Sequence, residues 1–313
     1  MLVCDLTGSS VHVSDERVTY VPFEFSVFPD KQPNFVFSDP GKDENPNETI
    51  HLIGHAHNAQ GILGTAVAIN ALRSTRPNPI EWWIPYLSGA RMDRRMKRGW
   101  PSTLRVVADL INTITASANV RRVNVLDVHS DAAFTEIRNS FPAEPAILRA
   151  FAVNDVEREL GGPAAIVAPD AGAEARALDP FEPEIVLSKT RKKRGVSASI
   201  ADGDPSGRHC LIVDDIIDGG ATFAEAARVL REHGAASVSL CVTHAIFSAG
   251  PGVAGVDRFY FTDSIPGYRS RWPRGAEVVG CSDVSTIGGK QFHELRGYML
   301  REAIANEECR ENV

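Results

Sequence analysis

The stretch Leu211-Ile212-Val213-Asp214-Asp215-Ile216-Ile217-Asp218-Gly219-Gly220-Ala221-Thr222 reads as a buried strand, a small-residue turn and the start of a helix. An apolar run begins at Cys210, Asp214 and Asp215 stand at its carboxyl end, and a breaker-poor segment continues from Thr222 to about His233. In open α/β sheets ligands bind where strands end and helices begin, because first-turn N–H groups lack helical partners and attract anions. Gly219, Gly220 and Ala221 let backbone amides approach a phosphate, while the paired carboxylates suit ribose hydroxyls or bound Mg2+. Taken alone, the last few residues also fit a plain helix cap after a glycine turn.

The same rhythm extends outward. Ile50–Ile53 and Glu81–Tyr86 have strand character, and the segment from Gln60 to Ser74 carries an apolar stripe at helical spacing. A helix is expected from about Ser102 to Ala116 and a strand from Arg122 to Val128. Ala165 to Ala168, Cys210 to Val213 and Val238 to Thr243 are almost continuously apolar, as parallel strands covered on both faces must be. A doubly wound α/β fold follows. The polar and proline breaks in Ser140 to Pro145 suggest a boundary, giving two similar halves at 1–143 and 144–313, with a last helix able to pack on the first half. The segment from Phe35 to Thr49 reads as an exposed excursion.

With 313 residues, 43% hydrophobic and 23% charged, the composition is that of a folded two-domain protein. A net charge of -7 argues against a nucleic-acid-coating surface, so an anionic ligand must be met by local basic clusters. The five cysteines are scattered without a CxxC pair, which fits a reducing compartment. There is no leader-like amino terminus and no apolar run long enough for a membrane span, so a cytoplasmic protein with no membrane partner is expected.

The whole string from Val213 to Thr222 resembles the phosphoribosyl-diphosphate-binding motif of the phosphoribosyltransferase fold. Further segments resemble ribose-phosphate pyrophosphokinases in particular: Ile84 to Arg95 their ATP segment, Val125 to Ser130 their metal-binding histidine segment, and Val167 to Gly172 their second metal carboxylate. Lys189-Thr190-Arg191 resembles the start of their flexible catalytic loop, Phe28-Pro29-Asp30-Lys31-Gln32 their adenine loop, and Thr243 to Ser248 and Asp263 to Tyr268 further family segments. The matches follow the family's order over most of residues 20 to 270.

This resemblance implies two phosphoribosyltransferase-type domains with mostly parallel sheets, and transfer of the diphosphoryl group of ATP to the 1-hydroxyl of ribose 5-phosphate. It implies ATP contacts at Phe28, Asp30, Gln32, Arg91, Met92, Asp93 and His129. Mg2+ would be held by His129 and Asp170, and the catalytic cations would be Lys189 and Arg191. Asp214 and Asp215 would face the ribose hydroxyls, while Asp218, Gly219, Gly220, Ala221 and Thr222 would wrap the 5-phosphate. ATP sites built across subunits imply a homo-oligomer, a dimer or a hexamer.

Each residue also has a plainer reading. His129 fits a hydrogen-bonded structural histidine, Asp170 a helix cap, and Phe28 a core ring. Lys189 to Arg194, with five basic residues in six, fits either a solvated surface or a mobile lid over polyphosphate, and Arg91 to Arg98 fits a helix end. The segment from Tyr268 to Arg274 reads as a surface loop or a nucleotide contact.

Three positions depart from the family pattern: Gly219 removes a hydroxyl donor from the phosphate loop, Met92 stands where Gln is usual, and Gln32 where Glu is usual. Gly219 opens space beside the ribose 5-position. That motivates ADP-ribose as an alternative acceptor, as in related phage enzymes that begin NAD reconstruction. A noncatalytic regulatory subunit and a phosphoribosyltransferase are the remaining alternatives.

Overall fold

Parallel strands whose crossovers leave in opposite directions organise both halves of the chain. The computed structural model describes residues 1–7, 16–41, 44–175, 181–192, 195–267, 283–287, 290–295 and 301. The chain divides into two compact units, one built on Met1–Ala143 and the other on Glu144–Tyr298.

In the first unit a six-stranded sheet has the order β2-β1-β5-β6-β7-β8, from β1 (Leu2–Asp5), β2 (Thr19–Tyr20), β5 (Ile50–Ile53), β6 (Ile80–Ile84), β7 (Val120–Leu126) and β8 (Ser140–Ala143). Every neighbouring pair in it is parallel. β3 (Phe23–Val27) and β4 (Pro33–Phe37) form a separate antiparallel hairpin. Helix α1 (Ala59–Thr75) starts at Asn58, whose Oδ1 accepts the Gly61 N–H at 2.8 Å, and stops before Pro77, which has no N–H to continue the ladder. Ile62, Ala68, Ile69 and Leu72 of α1 and Leu104, Val107, Ala108 and Ile111 of α2 (Thr103–Ser117) are buried in the core with Trp82 and Val125 of the sheet. The Trp82 indole N–H is satisfied by the Gly54 carbonyl at 3.0 Å. A short α3 (Ala132–Glu136) follows β7.

The second unit repeats this plan. Its eight strands run β11-β10-β9-β12-β13-β14-β16-β15, from β9 (Ala164–Ala168), β10 (Ile185–Lys192), β11 (Gly195–Asp202), β12 (His209–Ile217), β13 (Ser237–Ala245), β14 (Arg258–Thr262), β15 (Asp283–Ile287) and β16 (Lys290–Leu295). Only the β10–β11 and β15–β16 pairs at its edges are antiparallel. α4 (Ala146–Leu160) and α6 (Ala221–Glu232) bury stripes that include Ala152, Val156, Phe223, Ala227 and Leu230, and a short α5 (Ala171–Ala175) follows β9. In both units the chain leaves the first strand in one direction along the sheet and returns to pair on its other side. The resulting topological switch points lie between β1 and β5 and between β9 and β12.

The doubly wound, mostly parallel fold is the expected one, and three local expectations need correction. Asp214 and Asp215 do not lie past a strand: β12 continues to Ile217 because β13 runs beside it, pairing Asp214 with Val242 and Ile217 with Ala245. The strand at Glu81 stops at Ile84, before Pro85. Ser140 to Ala143 is an edge strand rather than a break, with Ala143 paired to Leu126. The segment from Phe35 to Thr49 is exposed at Val36, Ser38, Asp39, Gly41 and Asn45 to Asn47, as expected, and it is anchored from beneath. Phe35 and Phe37 are buried, the buried Arg76 guanidinium pairs with Glu44 at 2.8 Å and donates to the Ser38 carbonyl at 2.6 Å, and the Asn78 amide donates to the Asn45 and Glu48 carbonyls, each at 2.9 Å. These buried donors satisfy a meandering backbone that has no sheet partner of its own. The last-helix expectation and the segment from Tyr268 to Arg274 fall largely outside the described residues.

Replacing Arg76 with Ala strands the partly buried Glu44 carboxylate and the Ser38 carbonyl. We expect a loss of roughly 3 kcal/mol in stability, read from the urea midpoint at unchanged slope, whereas Arg73→Ala should cost less.

Candidate active site

The turn that closes the quoted stretch is set by backbone geometry. Gly220 has φ +78°, and a Cβ there would come within 2.9 Å of the Val253 Cγ2, so a side chain is excluded on both counts. Gly220 is the N-cap of α6, no side chain caps that helix, and the first-turn N–H groups face the turn as an anion site requires. A Cβ at Gly219 would find the Ser248 Oγ, at 3.8 Å, as its nearest neighbour, so this position opens onto space. Asp218 is half-buried and accepts a short hydrogen bond from the Ser248 hydroxyl, while its carbonyl accepts the Ser248 N–H at 3.2 Å. Ser248 carried no assigned role in the sequence; only the parallel pairing of β12 with β13 brings it to the turn.

Asp214 is half-buried and its Oδ1 accepts the Asp215 N–H at 2.9 Å, whereas Asp215 is only 3% exposed. Adjacent strand residues point to opposite faces, so the two acids present different surroundings although they are neighbours in sequence. Ala221 is exposed and Thr222 half-buried in the first turn of α6.

On the strands beside β12, the structure joins two further candidates. The Lys189 Nζ lies 3.4 Å from the Asp170 Oδ2, both side chains partly buried at 16% and 28% exposure. The Asp170 Oδ1 accepts the Gly172 and Ala173 N–H groups at 2.9 and 3.0 Å. Asp170 therefore is a helix cap, with its other oxygen turned to a cation. Burial pushes its carboxyl upward, but the Ala173 amide, the Lys189 charge and the Gly172 amide outweigh that and hold it below the ordinary carboxylate range. A cleft of about 510 Å3 lies along Asp170, Gly172, Val186, Leu187 and Lys189. The basic run from Lys189 to Lys192 is strand rather than loop: Lys189 pairs with Ala198 and Arg191 with Val196 in an antiparallel ribbon. The side chain of Arg191 lies outside the described residues, as do Lys193 and Arg194.

The first unit holds the remaining candidates. Arg91, Met92 and Asp93 follow β6 and are exposed, Met92 at 41%; His129, also exposed, follows β7. The structure ties these two loops together, because the Ser130 hydroxyl donates to the Asp93 Oδ2 at 2.9 Å. Phe28, Asp30 and Gln32 sit at the tip of the β3–β4 hairpin. Phe28 is 53% exposed rather than a core ring, and the Asp30 Oδ1 accepts the Gln32 N–H at 3.2 Å. Lys31, Asp127 and Phe247 adopt left-handed backbone at φ +72°, +38° and +50°. Non-glycine residues in this region are strained and concentrate at functional loops, and these three lie in the Phe28, His129 and Ser248 segments.

Comparison with known proteins places these features in a family context. The family described as "Phosphoribosyl transferase domain" matches residues 161–280. A ribose-phosphate pyrophosphokinase of Marinomonas sp. is 31% identical over 221 residues, 66% of this chain and 67% of that protein. One of Vibrio parahaemolyticus is 35% identical over 219 residues, 65% of this chain and 67% of its own length. The crystal structure of phosphoribosylpyrophosphate synthetase from Mycobacterium smegmatis superposes with a TM-score of 0.66 at 20% identity, covering 99% of each chain, and so shares the fold.

The depressed Asp170 carboxyl makes a signed prediction. Its contribution to stability is present above the unfolded carboxylate value of about 4 and is lost as pH falls through the lower folded value. The stability difference between the native chain and Asp170→Asn should therefore favour the native chain near neutrality and shrink toward zero on acidification, in denaturant melts across pH. A constant difference would remove the ion pair from the account.

Proposed function

Because this chain belongs to the ribose-phosphate pyrophosphokinase family, we propose that it transfers the diphosphoryl group of ATP to the 1-hydroxyl of ribose 5-phosphate. The products would be 5-phosphoribosyl 1-diphosphate and AMP. The supporting observation is the gathering of a partly buried Lys189–Asp170 pair and an anion-ready glycine turn on three adjacent strands, β10, β9 and β12. In the reaction the 1-hydroxyl oxygen bonds to the β-phosphorus of ATP and gives up its proton to water, the bond from that phosphorus to the bridging oxygen of AMP breaks, and negative charge spreads over phosphoryl oxygens. Positioning and charge neutralisation dominate such transfers.

Asp214 and Asp215 serve the ribose hydroxyls, and the turn from Asp218 to Thr222 holds the 5-phosphate through backbone N–H groups. Lys189 and Arg191 neutralise the transferring group. Arg91, Met92, Asp93, Phe28, Asp30 and Gln32 serve ATP. The residues fit a Mg2+ requirement: Asp170 is held ionised with one oxygen free of backbone amides, a hard donor suited to that ion, and His129 is the second ligand in this reading. Among the described residues no three His, Cys, Asp or Glu side chains gather into a cage, so the site relies on few protein ligands. Bound Mg2+ supplies charge neutralisation on the polyphosphate. The exposed apolar side chains of Met96, Trp100, Val106 and Leu110 support a homo-oligomer, a dimer or a hexamer.

The open space at Gly219 favours a second reading in which the acceptor is ADP-ribose and the product ADP-ribose pyrophosphate. A larger substituent on the ribose 5-oxygen needs room there, and the atom nearest to where a side chain would begin is the Ser248 Oγ, at 3.8 Å.

AMP release with Mg-ATP and either ribose 5-phosphate or ADP-ribose decides between the acceptors; equal or faster turnover of ribose 5-phosphate counts against the second. No AMP with either would indicate a regulatory subunit, and turnover of 5-phosphoribosyl 1-diphosphate with a base a phosphoribosyltransferase. Lys189→Ala should lower kcat by about 100-fold or more with the circular dichroism spectrum unchanged. His129→Ala should raise the Mg2+ concentration needed for half-maximal rate, and an unchanged metal dependence would strike it from the ligands.

A further inference from the structure

The first unit has its own switch point, between β1 and β5, and a crevice opens there. Leu6 and Thr7 continue from β1 and His55 and His57 from β5, the Leu6 N–H donating to the Ile53 carbonyl at 2.9 Å. Against these strand ends the crevice measures about 400 Å3, walled on its other side by Phe25, Val27 and Phe35 of the β3–β4 hairpin. Its floor is the first turns of α1, where Gly61 and Gly64 face it. A Cβ at Gly64 would meet nothing within 4 Å, so the helix carries a destabilising glycine at a point where packing leaves space.

The polar atoms in the crevice are specific. The Nδ1 atoms of His55 and His57 are both buried and lack a hydrogen-bond partner among the described residues. The Thr7 backbone hydrogen-bonds the other nitrogen of the His55 ring, which leaves its Nδ1 as a lone-pair acceptor. The two rings lie edge to face with centroids 4.9 Å apart. Burial keeps both neutral, pushing His55 down and His57 down to about 4, with the neighbouring His55 ring adding to the latter shift. A buried ring nitrogen without a partner is costly, so a site that keeps two of them is built for something that hydrogen-bonds: the His55 Nδ1 accepts, and the His57 Nδ1 donates or accepts according to its tautomer.

The corresponding position in the second unit is the phosphate turn, and the contrast decides the ligand class. There the start of α6 has no side-chain cap and stays open to an anion; here Asn58 already caps α1 through the Gly61 N–H. A phosphate is thereby disfavoured, while aromatic walls and neutral imidazole acceptors suit a flat uncharged ring. We propose that this crevice is a second ligand site, taking a planar heteroaromatic ring whose exocyclic amino or carboxamide N–H groups reach the histidine Nδ1 atoms. Phe28, Asp30 and Gln32 do not line it although Lys31 between them does, so the crevice adjoins the expected adenine loop without including the residues proposed to hold ATP. The inference does not depend on which acceptor the second unit binds.

Two probes separate the sources of this chemistry: adenosine, an aminopurine, and nicotinamide, a pyridine carboxamide. Titration of the full chain by calorimetry or ligand-observed NMR should show one of them binding at one site per chain. Gly64→Leu, which fills the crevice while improving the helix, and His55→Phe, which removes the acceptor, should each weaken that binding by about tenfold or more. Phe28→Ala, which removes the expected adenine platform, should still leave one site per chain for that probe, and Glu159→Gln, at an exposed residue lining neither site, should leave the binding unchanged. Failure of both probes to bind at millimolar concentration would overturn the proposal. So would binding that survives both crevice variants or disappears in Phe28→Ala. A fall in oligomer size on Gly64→Leu, with neither probe bound, would overturn it too and assign the crevice to a second copy of the chain.

Discussion

Two parallel strands, β9 and β12, lie side by side with their following connections running to opposite sides, and the proposed chemistry of the second unit hangs on that pairing. Parallel pairing in register, from His209 with Ala164 to Ile212 with Val167, brings two carboxyl ends together at a point where no crossover helix blocks access. Asp170 emerges from one end and the turn from Asp218 to Thr222 from the other. β10, on the outer flank of β9, then delivers Lys189 to Asp170. A one-residue slip in any of these registers would turn the side chains to the opposite face of the sheet.

The electrostatic design follows from that geometry. A chain with net charge -7 cannot attract polyphosphate by its overall field, so cations must be concentrated and carboxylates placed where each has a local partner. The Lys189–Asp170 pair does both, since the carboxylate is stabilised by two amides and an ammonium without being sealed from solvent. From Lys189 to Lys192 the backbone of the basic run is paired in the β10–β11 ribbon rather than left as a loop.

The two units share a topology but differ at equivalent points. The second leaves the amino terminus of α6 open for an anion, whereas the first closes that of α1 with Asn58 and surrounds it with aromatic side chains and two neutral histidines. A duplicated fold can therefore retain the place where ligands bind while changing the ligand chemistry, since the place is set by strand order and the chemistry by side chains.

By itself the sequence determined the strand, turn and helix character of residues 211 to 222 and the parallel α/β class, because apolar runs flanked by glycine and acids are local signals. Asp170, Lys189, Asp93 and His129 were singled out by the family resemblance of their local segments. The tertiary structure alone decided which of them meet: Lys189 with Asp170, Asp93 with the His129 loop, Ser248 with Asp218. It also decided that Phe35 to Thr49 is anchored by Arg76 and Asn78, and that His55 and His57 face a crevice at the first unit's switch point. Those are contacts between residues far apart in sequence, and they are set by strand register and helix packing, which no local pattern encodes.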